Sequence, residues 1–190
     1  MKSVVRLSAL CGVVLVSSAI AGSAEDPNLT EAKGIVKRFA ETLQGELQGA
    51  MKEGGPVKAI EICQKRAPAI AESLSQETGW EVGRTSLKLR NANLNAPDDW
   101  ERQVLVRFDE RQAAGEDVVP MAFAEVVEVD GEKHFRFMKA IPVADLCLSC
   151  HGADIIPDVT AALDAAYPDD QARGYKPGQV RGAFGVSKRL

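Results

Sequence analysis

The sequence predicts an α+β fold in which N-terminal helices pack on an antiparallel sheet. Helical periodicity governs the first part of the mature chain, and the alternating patterns of strands govern the later part. Asp130-Gly131 lies between two strand patterns and is typical of a two-residue hairpin turn, so these two strands are expected to be antiparallel. The expected mature domain, residues 25–190, has about 166 residues and can bury one core.

Two amphipathic helices are predicted to open the domain. Apolar residues at spacings of three and four predict the first over residues 29–51 and the second over residues 56–77. Cys63 falls in the middle of the apolar stripe of the second helix, so its thiol is expected to face inward. Pro68 cannot donate a hydrogen bond to the carbonyl of Gln64, and we therefore expect a bend just after the cysteine.

Strand patterns and turn residues predict the remaining elements. An Asn-rich segment after the first strand is too irregular for a helix or a strand, and we expect it to form an ordered loop. In chain order the predicted elements are strand 80–89, loop 90–97, helix 99–114 capped by Asp98, strands 120–129 and 133–141, helix 158–166, loop 167–178, and strand 180–187 broken by Gly182 and Gly185.

The most specific motif in the chain is Cys147-Leu148-Ser149-Cys150-His151, which follows the predicted hairpin closely. Two thiols separated by two residues and followed by a histidine are what the covalent attachment of haem requires. The sulfurs of Cys147 and Cys150 add to the two vinyl groups of one porphyrin, and His151 reaches the iron as an axial ligand. The single motif predicts a c-type cytochrome-like protein with one covalently attached haem c.

The N-terminus carries the export signal that such a site requires, because bacteria attach haem c outside the cytoplasm. Lys2 and Arg6 form a short positive region before a 14-residue apolar run. Small residues up to Ala24 then supply a cleavage site. The run is shorter than the ~20 residues that span a bilayer. We therefore expect residues 1–24 to be a signal peptide that is removed, which leaves a periplasmic protein. An uncleaved membrane anchor and a lipoprotein attached through Cys11 are the alternatives.

The net charge argues against two classes of partner. The formal charge is −4 for the whole chain and −6 after the loss of Lys2 and Arg6. A negative chain is poorly suited to nucleic acid or to an anionic membrane surface. We therefore expect no nucleic acid and, after signal cleavage, no membrane association, whereas a basic redox partner would suit an acidic surface.

Cys63 needs a separate explanation, because haem attachment uses Cys147 and Cys150 and leaves it without a disulfide partner. One explanation is a small buried hydrophobic residue. The other is a thiolate ligand at the second axial position of the haem iron. From the residues alone, the further candidates for that position are Met121, Met138, His134 and an open or water-filled site.

Two other uses of the same residues are weaker. A zinc site made from Cys63, Cys147, Cys150 and His151 has suitable ligand types, but the adjacent Cys150 and His151 can hardly occupy two corners of one tetrahedron. A thiol oxidoreductase would need a strand leading directly into a helix before the cysteine pair, and this pattern is not found there.

Four separated motifs occur in order along the mature chain. They are Ala59-Ile60-Glu61-Ile62-Cys63 with Ala67-Pro68; Arg90-Asn91 through Asn95-Ala96-Pro97 to Trp100-Glu101; Cys147-Leu148-Ser149-Cys150-His151-Gly152; and Tyr167-Pro168 through Ala172-Arg173-Gly174-Tyr175 to Arg181-Gly182-Ala183-Phe184. Together they resemble a family of small periplasmic or lumenal haem c proteins with a PAS-like α+β fold, long classed as a domain of unknown function. The resemblance implies that His151 and Cys63 are the two axial ligands. Ala92 stands where the family more often has Pro, which concerns the loop geometry rather than the haem site.

The implied ligand pair leads to an expected function. A thiolate donor stabilises ferric over ferrous iron, so ligation by His151 and Cys63 predicts a low reduction potential. A six-coordinate iron leaves no position for a substrate, so we expect no enzyme, with a peroxidase-like activity as the weaker alternative. The expected function is redox or small-ligand sensing, in which reduction releases Cys63 and a ligand such as CO or NO binds. The alternative is a periplasmic electron carrier, whose ligands would not change on reduction.

The expected partner depends on which function holds. A sensor of this kind would pass its signal to a separate signalling protein, because the chain has no recognisable kinase or methyl-accepting pattern. A carrier would need a redox partner protein. Arg90, Asn91 and Tyr175 are the candidate haem-pocket residues: Arg90 suits a haem propionate, whereas asparagine side chains otherwise satisfy backbone groups. The loop that holds Tyr175 either walls the pocket or stays at the surface.

Overall fold

The sheet at the centre of the molecule has four antiparallel strands in the order β1-β4-β3-β2, which confirms the predicted α+β class. The structure is a computed structural model that describes residues 26–190. The expected signal segment 1–24 and Cys11 lie outside the described residues. The strands are β1 Glu81–Thr85, β2 Ala122–Val129, β3 Glu132–Pro142 and β4 Val180–Arg189.

Six helices surround this sheet within the described part of the chain. They are α1 Pro27–Glu61, α2 Ala67–Thr78, α3 Ala92–Asn95, α4 Asp99–Ala113, α5 Leu148–His151 and α6 Pro157–Ala166. Asp98 caps α4 as expected, and Glu101 completes a reciprocal capping box by accepting from the backbone of Asp98. The predicted loop 90–97 instead contains α3, because the carbonyl of Asn91 accepts from the backbone of Asn95 at 3.0 Å. None of the helices described is long and apolar enough to cross a membrane.

The segment around Cys63 differs from a simple bent helix. α1 contains both predicted helices up to Glu61, with a break at Gly54 and Gly55, where the backbone angles are non-helical. A five-residue π-helical turn, Ile62–Arg66, then leads into α2 and holds Cys63. The backbone N–H of Ala67 reaches back five residues to Ile62, directly before Pro68, which has no N–H to donate. The irregularity expected beside the cysteine is therefore a π-helical turn.

The sheet separates two packed layers. On one face α1 and α2 cover a cluster of buried apolar residues, which includes Ile35, Val36, Phe39, Ile70, Leu74, Trp80, Phe135, Phe137, Phe184 and Val186. On the opposite face α4 covers a second cluster, which includes Val104, Leu105, Phe108, Val118, Met121, Met138, Val180 and Ala183. The haem motif lies outside both clusters, in a 3₁₀ turn (Asp145–Cys147) and α5 after the end of β3.

The last strand is continuous, in contrast to the expected break at its glycines. Ile141 pairs with Gly182 and Pro142 with Val180, so Arg181 is an extra residue of β4 at a shift in register. Such bulges re-aim a side chain without ending the strand. A side chain at Gly182 would collide with the carbonyl oxygen of Thr85, so the glycine permits the close approach of β4 to the chain beyond β1.

Candidate functional site

A cavity of about 950 Å³ opens between α1, the sheet and the haem motif. This volume lies near the upper end of the roughly 300–1,000 Å³ typical of ligand pockets. Cys63, Cys147, Cys150 and His151 all line it. All three cysteines are half-buried free thiols. The fold thus brings the cysteine of the π-helical turn to the same cavity as the Cys-x-x-Cys-His motif.

The local backbone explains how the motif is presented. Cys147 ends the 3₁₀ turn, and its N–H bonds to the carbonyl of Ala144 at 2.9 Å. α5 ends immediately after His151, where the N–H of Gly152 bonds to the carbonyl of Leu148 at 2.9 Å. A Cβ atom at residue 152 would lie 2.7 Å from that carbonyl oxygen. Glycine therefore lets the chain turn away directly after the histidine.

The imidazole of His151 is held in the form that a metal ligand requires. Its Nδ1 lies 2.8 Å from the carbonyl oxygen of Ala172, which can only accept, so Nδ1 carries the proton and Nε2 keeps a lone pair. Burial, reinforced by the positive charges of Arg181 and Arg90, holds the pKa of His151 well below its ordinary value. The ring is therefore neutral at neutral pH.

Arg90 clamps the motif to the loop that follows α6. Its guanidinium makes two bonds of 3.1 Å to the carboxylate of Asp170, whose side chain is 1% exposed. It also donates to the carbonyl oxygens of Cys150 and Ala172. Burial acts to raise the pKa of Asp170, but the hydrogen bonds from Arg90 and Arg173 outweigh it and hold that pKa below its usual value. Arg90 is thus already engaged by a protein carboxylate.

The other two predicted pocket residues occupy different places. Asn91 lines the cavity. Tyr175 is not among the described residues that line it, but packs edge-on against the ring of His151, with centroids 6.2 Å apart. Its N–H bonds to the carbonyl of His151 at 2.9 Å. Tyr175 therefore packs against the histidine from outside the main cavity. It lines a smaller cavity of about 340 Å³.

The alternative ligands lie elsewhere in the fold. Met121 and Met138 are 1% and 0% exposed in the cluster beneath α4, on the sheet face opposite the cavity. His134 pairs with Val127 and Arg189 near the hairpin end of β3. Within residues 26–190, no group of three or more His, Cys, Asp or Glu is arranged to hold a bare metal ion.

Sequence reasoning missed several residues that line the cavity. Met51, near the break in α1, is a further sulfur-bearing side chain on the wall. Tyr167 was not missed: it begins the loop that was expected either to wall the pocket or to stay at the surface, and it lines the cavity, where burial raises the pKa of its phenol to about 12. Arg84 and Arg181 were not singled out, although each is a charged residue inside a strand pattern that otherwise faces the core. A charged residue within such a pattern was the signal in the sequence that could have identified these two arginines.

A family model described as Tll0287-like matches residues 21–188. The chain belongs to the Tll0287-like family. The crystal structure of the cyanobacterial heme-protein Tll0287 superposes with a TM-score of 0.66 at 23% sequence identity, covering 88% of this chain and 98% of that chain. At this identity the likeness shows a common fold. A search of curated proteins found no match.

Membership in the Tll0287-like family covers the whole site. The matched residues include every element from α1 to the end of the cavity wall in β4. The sequence-based resemblance to a family with a haem-protein member is therefore confirmed at the level of the family. The axial ligand pair and the PAS-like character of the fold stay predictions.

Proposed function

We propose that this chain is an exported haem c protein that acts in redox or small-ligand sensing. Cys147 and Cys150 would hold one haem through thioether bonds, and His151 and Cys63 would be its axial ligands. The observation that carries the proposal is the convergence of these four side chains on one cavity. The naming of the structural relative as a heme-protein supports it.

The cavity suits a porphyrin in the character of its wall. Its apolar lining comes from α1 and from the sheet: Val36, Ala40, Leu43, Leu47, Ile60, Phe137 and Phe184. Burial raises the pKa of the Cys150 thiol, which favours its protonated form. The apolar part of the wall matches the flat hydrophobic ring of a haem, whose carboxylates need separate partners.

The chain's residues would set the properties of the bound group. A haem iron supplies one-electron redox chemistry and a coordination position for a small ligand. The neutral His151, whose Nδ1 is fixed by the carbonyl of Ala172, would hold the iron through Nε2. Cys63 sits on a π-helical turn, a backbone form frequent at functional sites. In the sensing mode Cys63 would be the ligand that CO or NO replaces after reduction by a partner protein, and its thiolate would then accept a proton.

A separate signalling protein would receive the signal, and the periplasm is the proposed location. An electron carrier with a redox partner protein is the second candidate function, because the same four residues would serve it equally. A carrier would keep Cys63 bound in both oxidation states. The behaviour of Cys63 on reduction therefore separates the two functions.

Absorption and electron paramagnetic resonance spectra of the mature haem-loaded protein test the proposal. Wild type, Cys63→Ala and Met51→Leu are compared in the ferric state and after reduction, with and without CO. We expect a low-spin thiolate signature that is lost in Cys63→Ala and kept in Met51→Leu, since both residues line the cavity. An unchanged spectrum in Cys63→Ala would refute the thiolate ligand. A reduced wild type that binds no CO would favour the electron carrier.

A further inference from the structure

The charge of the cavity wall is opposite to that of the chain. The chain has a net charge of −4. Six basic side chains line the cavity: Lys33, Lys37, Arg84, Arg90, Lys139 and Arg181. Among the described residues that line it there is no Asp or Glu. A basic cavity in an acidic protein indicates an anionic ligand, because its field concentrates negative charge there.

The three arginines of the wall differ in their partners. Arg90 is satisfied by the carboxylate of Asp170. Arg181 donates to neutral acceptors: the hydroxyl of Ser86 at 2.8 Å, the carbonyl of Lys88 at 3.3 Å and, from its Nε, Nε2 of His151 at 3.4 Å. The guanidinium of Arg84 lies over the ring of Phe39, 5.8 Å from its centroid.

Neither Arg84 nor Arg181 is in an ion pair with any described carboxylate. Both side chains are half-buried. A buried charge is costly unless it is paired. The fold therefore keeps two cations at the cavity whose missing partners would be anions.

The backbone fixes both arginines on adjacent strands. Arg84 lies directly opposite Phe184 in the β1–β4 pair, so the two share the sheet face that lines the cavity. Arg181 is the extra residue where the register of β4 shifts, next to the glycine that allows the close approach to Thr85. Groups on strands are held more rigidly than groups on loops, and a fixed pair of donors suits a ligand with two fixed acceptors.

We propose that Arg84 and Arg181 bind the two propionate carboxylates of the haem. The proposal rests on the proposed function, and it replaces the sequence-based assignment of that role to Arg90. Two guanidinium groups without carboxylate partners match two carboxylates in number and in charge. Arginine also binds carboxylates through two parallel hydrogen bonds, which orients the ligand as well as neutralising it.

A porphyrin without iron and without vinyl groups can test the contact between the arginines and the propionates separately from thioether bonds and axial ligands. Mesoporphyrin IX has ethyl groups in place of vinyl groups, so it forms no thioether bonds, and in its metal-free form it takes no axial ligand. The full mature chain, prepared without haem, is titrated with mesoporphyrin IX and with its dimethyl ester. We expect wild type to bind the diacid at least tenfold more tightly than the ester, which corresponds to about 1.4 kcal/mol.

The variants Arg84→Gln and Arg181→Gln should each reduce the preference for the diacid, and the double variant should abolish it. Arg84→Lys should keep part of it. Arg107→Gln is the matched control, because Arg107 is exposed on α4 and packs over Phe123 on the other side of the sheet. The Arg84 side chain donates no hydrogen bond to another described residue and packs over Phe39, so its glutamine variant is expected to fold.

The outcomes separate this assignment from the proposed function. If wild type binds the diacid and the ester equally, or if the glutamine variants weaken both porphyrins equally, the arginine assignment is wrong and the porphyrin site stands. An unchanged preference in Arg84→Gln would also overturn the assignment and leave Arg84 as a partner of the nearby Cys63. If neither porphyrin binds, the proposed function fails together with this inference.

Discussion

The two faces of the sheet are packed in different ways. Beneath α4, the side chains of Phe108, Met121 and Met138 are 0%, 1% and 0% exposed, and they fill the space between helix and sheet. Beneath α1, Phe39 and Trp80 are equally buried, but the same layer opens into a cavity of about 950 Å³. One face therefore holds the fold together, and the other combines a core with a site for a ligand.

Alternation along one strand produces this contrast. Phe137 and Met138 are neighbours on β3, yet Phe137 lines the cavity and Met138 belongs to the closed cluster beneath α4. Successive side chains of a strand point to opposite faces, so one strand serves both layers. Changes on the α4 face should cost stability and spare the cofactor, whereas changes to the cavity-lining sulfurs should alter the bound cofactor.

The largest expected effect is the loss of covalent haem from the double variant Cys147→Ala, Cys150→Ala. Both sulfurs line the cavity, and without them no thioether bond can form. Mass spectrometry of the denatured protein should find only the mass of the polypeptide. Cys63→Ala is the matched control, because it removes the third cavity sulfur and should keep the haem mass. Covalent haem on the double variant would contradict the assignment.

Phe108→Ala should be the most destabilising single change on the closed face. The ring is fully buried, and truncation of such a side chain costs about 3–5 kcal/mol in the free energy of unfolding. Denaturant unfolding followed by circular dichroism measures this cost. The visible spectrum of the folded, haem-loaded fraction should not change. A spectral shift would mean that the two faces are coupled through the sheet.

Asp170→Asn should also destabilise the protein, from the cavity side. It would leave Arg90, whose side chain is 10% exposed, without its carboxylate, and breaking a buried pair costs about 3–5 kcal/mol. The exposed Asp164, which also pairs with Arg173, gives the control: Asp164→Asn should cost at most about 1 kcal/mol. If both variants lost a similar amount of unfolding free energy, the buried pair would contribute no more to stability than the exposed one.

The ion pair between Arg90 and Asp170 also predicts that the stability of the protein depends on pH. The pKa of Asp170 is depressed in the folded state, so its contribution is fully present above the unfolded value of about 3.9. It is lost as the pH falls through the lower folded value. The free energy of unfolding of wild type should therefore fall more steeply below about pH 4 than that of Asp170→Asn, as measured by denaturant titrations across this range.

Two local signals in the sequence predicted the structure around them correctly. The Asp130-Gly131 turn has positive φ at both residues, 53° and 82°, as a two-residue hairpin requires, and it joins β2 to β3 as expected. Asp98 caps α4 through the backbone of Glu101. Each of these features depends on a few adjacent residues, so the sequence pattern contains all the information that they need.

Contacts between distant segments could not be predicted in this way. Arg90 and Asp170 are 80 residues apart, and nothing near either residue indicates the other. Arg181 faces the cavity because the register shifts in the pairing of β3 with β4, and that shift depends on both strands together. The haem motif and Cys63 were recognised from chemistry and spacing, whereas the basic wall that accompanies them emerges only from the folded chain.

The smallest expected effect comes from a substitution of His134, which lies away from the cavity. His134→Ala changes the one histidine of the described residues besides His151, and His134 lies near the hairpin end of β3, away from the cavity wall. It should leave the spectra of the haem-loaded protein unchanged and alter the free energy of unfolding by no more than about 0.5 kcal/mol. Loss of a low-spin signal in this variant would instead identify His134 as an axial ligand. Such a result would require the hairpin to fold over the cavity, and it would return Cys63 to the role of a small hydrophobic residue in the wall.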